Sequence, residues 1–273
     1  MLDFTLAVGQ WPVVDDRDAN LARAETSFRR AAAAGAPVVL LPEMFQTPYD
    51  TETMRRRAEP EDGPTLRRIR ALCRELRLTA VAGSFCEARG GRLYNSAFVL
   101  GPDGSTLGVH RKIHLFDVDL PGVQVRESSV LSAGEAPLVL DTPLARIGVA
   151  VCYDLRFHDV FRAFERRGVE VALLPAAFSE TTGRAHWHAL LRSRAIDYQM
   201  WVAAACPAPT PGAAYQAYGH SLVADPWGDV VAEAGTGEET IAARLGADRL
   251  LDVRRRLPLL AHRRPDLYRH WER

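Results

Sequence analysis

A chain of 273 residues, 47% hydrophobic and 25% charged, carries enough apolar material for one large core, and the whole span 1–273 is expected to form a single domain. Its 34 basic and 34 acidic residues cancel, which argues against a nucleic-acid-binding face and against a polybasic membrane surface. No apolar run approaches the roughly 18 residues of a membrane span, and the opening Met1-Leu2-Asp3-Phe4 lacks the layout of a signal peptide. Cys73, Cys86, Cys152 and Cys206 form no C-x-x-C pair, so the expectation is a cytoplasmic protein with reduced thiols, no disulfide framework and no metal site.

In chain order, Phe4–Val8 reads as a strand, Asp18–Ala34 as a helix closed by Gly35, and Val38–Leu41 as a buried strand stopped by Pro42. Thr65–Leu76 has the apolar spacing of a helix and Ala80–Phe85 that of a strand. Leu93–Leu100 and Thr106–His110 flank Gly101-Pro102-Asp103-Gly104 and read as a hairpin. The second half repeats the theme: strand Ala145–Cys152, helix Asp159–Arg167, strand Val169–Leu174, helix Ala185–Tyr198 and strand Trp201–Ala205. A second hairpin follows, Tyr218–Ala224 and Asp229–Ala234 around Asp225-Pro226-Trp227-Gly228. Leu40-Leu41-Pro42 and Leu173-Leu174-Pro175 end equivalent strands. The pattern predicts an α/β fold of two similar halves, packed sheet against sheet with helices outside.

Three segments place reactive residues at the ends of apolar strands, where a rigid scaffold presents catalytic groups. Glu43 follows Pro42, a setting that desolvates a carboxylate and raises its pKa toward that of a general base. Lys112 is the one lysine of an otherwise arginine-based chain. A compact ammonium can approach a single oxygen where a guanidinium fork cannot. His110 and His114, which flank it, have no carboxylate or cysteine at metal-ligand spacing, and structural hydrogen bonding is expected of them. Cys152 ends an apolar strand and enters a turn before a helix, the layout of a nucleophile elbow. No G-x-S-x-G, G-x-G-x-x-G or P-loop occurs. A Cys–His dyad with His158 or His186 stays open at this level, although it leaves Lys112 without a role.

Taken in order, Glu43, Lys112 and Cys152 resemble the Glu-Lys-Cys triad of the nitrilase superfamily, the carbon–nitrogen hydrolases, and above all their omega-amidase branch. The resemblance covers nearly the whole chain. It is carried by Leu41-Pro42-Glu43 with Pro48-Tyr49, by Arg111 to Asp117, and by Cys152-Tyr153-Asp154-Leu155-Arg156-Phe157. Thr181-Thr182-Gly183, Ala185-His186-Trp187, Arg192-Ser193-Arg194-Ala195, Tyr218-Gly219-His220-Ser221 and Pro226-Trp227-Gly228 add to it. The family's further glutamate falls on Glu127, within Pro121 to Ser128. The chain departs from the family pattern at His158-Asp159, Ser179-Glu180, Arg184, His188 and Tyr198.

The resemblance implies a four-layer αββα sandwich, no cofactor, a homodimer, and hydrolysis of a small terminal carboxamide such as 2-oxoglutaramate or 2-oxosuccinamate through a thioester. Cys152 would be the nucleophile and Glu43 the proton carrier. Lys112 and the Tyr153 backbone N–H would hold the oxyanion, with Glu127 orienting the lysine. Arg156, with Tyr49, Thr181 and Thr182, would bind the substrate. The alternatives are another carbon–nitrogen hydrolase, acting on deaminated glutathione, N-carbamoyl compounds or nitriles, and, more distantly, an inactive binding module.

Overall fold

The computed structural model describes residues 1–120 and 123–271. Pro121 and Gly122, quoted above with the Glu127 segment, and Glu272 and Arg273 lie outside the described residues. The first half is built from strands β1 (Phe4–Gln10), β2 (Val38–Leu40), β3 (Thr79–Val81), β4 (Phe85–Arg89), β5 (Arg92–Leu100) and β6 (Thr106–Arg111). Its helices are α1 (Arg17–Ala33), α2 (Thr51–Arg56) and α3 (Pro64–Leu76). A two-stranded ribbon, β7 (Asp117–Leu120) and β8 (Val123–Arg126), leads into the second half. That half holds β9 (Leu138–Asp141), β10 (Arg146–Val149), α4 (His158–Arg166), β11 (Val171–Pro175), α5 (Glu180–Tyr198) and β12 (Trp201–Ala205). Strands β13 (Leu222–Ala224), β14 (Val230–Glu233) and β15 (Glu239–Leu245) and helices α6 (Ala247–Arg256) and α7 (Pro265–Trp271) complete it.

Each half centres on three parallel strands, β1-β2-β3 in one sheet and β10-β11-β12 in the other. Antiparallel strands extend both sheets: β15 pairs with β1, and β9 with β10. Strand alternation accounts for the layers. Leu6, Val8, Val38, Leu40, Ala97 and Val99 point at the second sheet and join its core. Ala7, Val39, Leu41, Phe98 and Leu100 point the other way, onto Leu21, Phe28, Leu66 and Ile69 of α1 and α3. Helices α4 and α5 cover the second sheet through Phe161, Phe164, Trp187 and Leu191, and Gly148 of β10 leaves room for the Phe164 ring, 2.9 Å from where a Cβ would stand. The result is the expected αββα order. Among the described residues no helix is long and apolar enough to cross a membrane.

Several boundaries differ from the sequence reading. Ala80–Phe85 is not one strand: the chain breaks at Gly83 (φ +47°) before continuing as β4. The expected strand Ala145–Cys152 stops at Val149 and gives way to a 3₁₀ turn over Cys152–Arg156. Helix α5 starts at Glu180, five residues earlier than its periodicity indicated, because the Ser179 hydroxyl caps it by accepting from Thr182 N–H. Tyr218–Ala224 shortens to Leu222–Ala224, since Gly219 (φ +73°) and His220 (φ +53°) turn the chain.

Candidate active site

Strand β2 ends at Leu40, two residues before Pro42, which cannot extend a ladder, and the chain then turns through Met44 (φ +48°). Backbone and hydroxyl groups pin this turn. Met44 N–H donates to Ser84 Oγ (3.2 Å), Phe45 N–H to Ser84 C=O (3.3 Å) and Glu43 N–H to Ala176 C=O (3.3 Å). The Glu43 side chain is thereby delivered, fully buried, between the two sheets. Its Oε1 accepts from Asn95 Nδ2 (2.7 Å) and Lys112 Nζ (2.9 Å), while Oε2 has no hydrogen-bond partner among the described residues.

Lys112 follows β6 directly. Its N–H donates to Asn95 C=O, and its own C=O accepts from Gly134 N–H, both at 2.8 Å. Its ammonium also reaches Glu127 Oε1 (3.0 Å) and Tyr49 Oη (3.4 Å). Glu127 opens a short 3₁₀ turn after β8 and is anchored on both oxygens, accepting from Tyr49 O–H (2.7 Å) and Phe116 N–H (2.7 Å). Burial alone would favour a neutral Lys112. The Glu127 and Glu43 carboxylates outweigh it and hold the pKa above the ordinary lysine value, so the amine stays an ammonium.

Cys152 occupies the left-handed region (φ +47°) at the start of its 3₁₀ turn and is 5% exposed. A strained elbow of this kind persists only where its surroundings hold it. Here the holder is Asp154, which accepts from Val151 N–H (3.0 Å), His114 N–H (3.0 Å), His110 Nε2 (2.9 Å) and His114 Nδ1 (2.8 Å). The two histidines therefore serve structural hydrogen bonding. Among the described residues no three His, Cys, Asp or Glu side chains are grouped to hold a metal.

Burial and then the Glu43 carboxylate push the Cys152 thiol well above its ordinary pKa, against the opposing pull of Lys112 and the Ala177 N–H. Burial likewise raises Glu43, with Lys112 opposing and Glu127 adding to the shift. A protonated thiol thus faces a carboxylate of raised proton affinity, with a permanent cation beside both.

A cavity of about 290 Å³ opens from Glu43, lined also by Thr47, Tyr49, Arg126, Ala177 and Tyr215 among others. Tyr215 stacks on Tyr49 (ring centroids 4.6 Å apart) and its hydroxyl donates to Ala177 C=O. Of the expected substrate-binding residues, only Tyr49 lines this cavity. Tyr153 and Arg156 lie along the Cys152 turn, with the Arg156 guanidinium 4.9 Å from the Phe178 ring centroid and 3.2 Å from His186 Nδ1. Thr181 is exposed on the first turn of α5, and the Thr182 hydroxyl is engaged with Ser179 Oγ (3.0 Å). His188, one of the departures, pairs with Glu233 Oε1 (2.8 Å), which His220 Nδ1 also approaches (3.0 Å).

Sequence reasoning missed Asn95, Asp154 and Tyr215. The signal for Asn95 was available: it shares a strand face with Ala97 and Val99, and a polar residue at such an inward position needs a partner. Tyr215 sits in an irregular loop after β12 and carries no comparable mark.

A family model described as Carbon-nitrogen hydrolase matches residues 5–255. The chain is 42% identical over 269 residues to omega-amidase NIT2 of Danio rerio, covering 98% of this chain and 97% of that protein. It is 40% identical to omega-amidase NIT2 of Homo sapiens, with 98% of each covered. The crystal structure of Saccharomyces cerevisiae Nit3, a member of branch 10 of the nitrilase superfamily, superposes with a TM-score of 0.89 at 35% identity, covering 96% of this chain and 97% of that one. With the fold, the buried carboxylate–ammonium–thiol group and these likenesses together, the chain belongs to the carbon-nitrogen hydrolase family and is a hydrolase acting on carbon–nitrogen bonds of small molecules.

Proposed function

We propose that the chain is an amidase of the omega-amidase type, which hydrolyses the terminal carboxamide of 2-oxoglutaramate or 2-oxosuccinamate through a Cys152 thioester. The observation that carries the reading is the division of labour at Glu43: Oε1 is held by Asn95 and Lys112, and Oε2 is buried, unpaired and free to take a proton. Cys152 Sγ attacks the amide carbon as its proton passes to Glu43. The oxyanion is held by Lys112 Nζ and the Tyr153 N–H. When the carbon–nitrogen bond breaks, Glu43 returns the proton to the departing ammonia. The same carboxylate then takes a proton from water as the water attacks the thioester, and releases the acid with Cys152 restored as a thiol. Glu127 keeps Lys112 charged and in place.

Arg156 is assigned the carboxylate of these short substrates, with Tyr49, Thr181 and Thr182 proposed as further hydrogen-bonding groups. The guanidinium, half-buried and four residues past the nucleophile, supports this. The chain is further proposed to work as a homodimer in the cytoplasm. Exposed Ile196 of α5, which lies against Gly228, and its exposed chain neighbour Trp227 (53% exposed) in the β13–β14 turn supply apolar surface for a partner copy, and sedimentation velocity decides it.

Ammonia release from 2-oxoglutaramate, with Cys152→Ala as control, tests the activity. Release that vanishes in the folded control is expected. No release from folded wild type, set against turnover of an N-carbamoyl compound or a nitrile, would overturn the omega-amidase reading within the same family.

A further inference from the structure

The cavity beside Glu43 is lined by a fully buried carboxylate, Glu43, and by an exposed cation, Arg126, with Asp50 also in its wall. Arg126 is the last residue of β8 and, among the described residues, the only basic side chain in the wall. The rest of the lining is largely apolar, with Val13, Met54, Val123 and Ala214 contributing. The Thr47 hydroxyl also lines it, 1% exposed and without a hydrogen-bond partner among the described residues. A buried hydroxyl in that state is costly unless something entering the cavity completes it.

Arg126 forms no ion pair among the described residues. Asp117, opposite it in the ribbon register, commits one oxygen to Ser128 N–H (3.0 Å) and the other to the Ser128 hydroxyl (2.5 Å). Asp50, the other acidic residue of the wall, caps α2 by accepting from Thr53 N–H (2.8 Å). The guanidinium thus acts on Asp117 through its field alone, without a salt-bridge contact among the described residues, and its donors are left for a ligand.

We infer that Arg126 and Thr47 form an outer subsite, which binds the far carboxylate of amides whose acyl chain is longer than those served by Arg156. The inference rests on the amidase reading and extends its substrate class. Charge sets the direction of entry: a carboxylate is repelled by Glu43 and drawn to Arg126, so the neutral carboxamide goes inward to the reacting groups. The apolar wall accepts the methylenes between, and Thr47 meets a polar group along the chain.

The experiment measures kcat/KM on monoamides of four- to seven-carbon dicarboxylic acids, and on neutral amides of matched length, in wild type, Arg126→Gln and Arg156→Met. Calorimetric binding of the seven-carbon dicarboxylate pimelate to the Cys152→Ala protein, with and without Arg126→Gln, gives a readout independent of turnover. Loss of one charge-assisted contact is worth about 10- to 100-fold. Arg126→Gln is expected to lower kcat/KM on the six- and seven-carbon monoamides by that factor, through KM, and to spare the four-carbon and neutral amides. Arg156→Met is expected to do the reverse, and pimelate binding to weaken about tenfold or more with Arg126→Gln. Equal losses on charged and neutral amides, or pimelate binding untouched by Arg126→Gln, would overturn the subsite. A protein that turns over no amide fails the amidase reading, while the calorimetric arm still decides the subsite.

Discussion

Glu43 and Ala176 hold the same place in the two halves, each directly after a Leu-Leu-Pro strand end, and they touch through the Glu43 N–H and the Ala176 C=O at 3.3 Å. The repeated architecture brings two equivalent loops together at the sheet ends. Only one of them carries a carboxylate. The other supplies backbone: Ala176 C=O steadies the Glu43 turn, and Ala177 N–H faces the Cys152 sulfur. One half thus provides the buried carboxylate and the ammonium, the other the cysteine and the amides around it.

Lys112→Arg keeps the charge but not the shape. The amine is fully buried among Glu43, Glu127 and Tyr49, with no room for a planar fork. Turnover is expected to fall about 10²–10³-fold, the usual cost of one oxyanion donor. Steady-state kcat, with circular dichroism to verify folding, checks it; near-wild-type turnover would remove Lys112 from the oxyanion role.

The raised proton affinity of Glu43 fixes the sign of the acid limb. Glu43 accepts a proton only when ionised, so kcat/KM falls as pH drops through a value above the ordinary glutamate figure of 4.5. Asn95→Ala removes a donor to the ionised form and moves that limb further upward. A pH–rate profile reads both; a limb that stays put in Asn95→Ala would mean that another group sets it.

Asp154 is the stability counterpart. Despite its burial, hydrogen bonds from His110 and His114 hold its carboxyl far below the usual range. Its contribution is therefore complete above the unfolded value near 3.8 and is lost as pH falls below it toward the folded value. Asp154→Asn is expected to cost about 3–5 kcal/mol at neutral pH, as when one partner of a buried pair is removed. The gap from wild type should narrow below about pH 4. Urea unfolding at several pH values measures it, and a gap independent of pH would contradict the assignment.

Gly83→Ala probes the support of the Glu43 turn. The residue has φ +47°, and a Cβ there would stand 2.2 Å from Pro42 C=O, a backbone atom that cannot swing away. The variant is expected to lose about 1–3 kcal/mol of stability from backbone strain alone, together with activity as Pro42 and Glu43 shift. Thermal unfolding and turnover measured on the same sample check the pair.

Glu43, Lys112 and Cys152 were legible because each lies within three residues of a strand end, Leu40, Arg111 and Val149, so a local pattern marked a position that the fold makes central. Arg156, Thr181 and Thr182 came from resemblance, and the cavity wall runs elsewhere, through Thr47 and Arg126. That wall is assembled from loops distant in sequence, and no local spacing encodes it. Strand β15 escaped notice for a related reason: Glu239-Thr240-Ile241-Ala242-Ala243-Arg244-Leu245 is too polar to read as a strand. What makes it one is the free edge of β1, more than two hundred residues away.

The burial of Lys112 also decides what chemistry the outside of the protein offers. The chain has one lysine and it is wholly enclosed, so the folded surface presents its positive charge as guanidinium and no ε-amine at all. A reagent that acylates amines, used under conditions that leave arginine alone, meets that ε-amine only when the centre of the molecule opens. The single lysine is thus a built-in reporter, and its labelling rate measures how often the carboxylates around it let go.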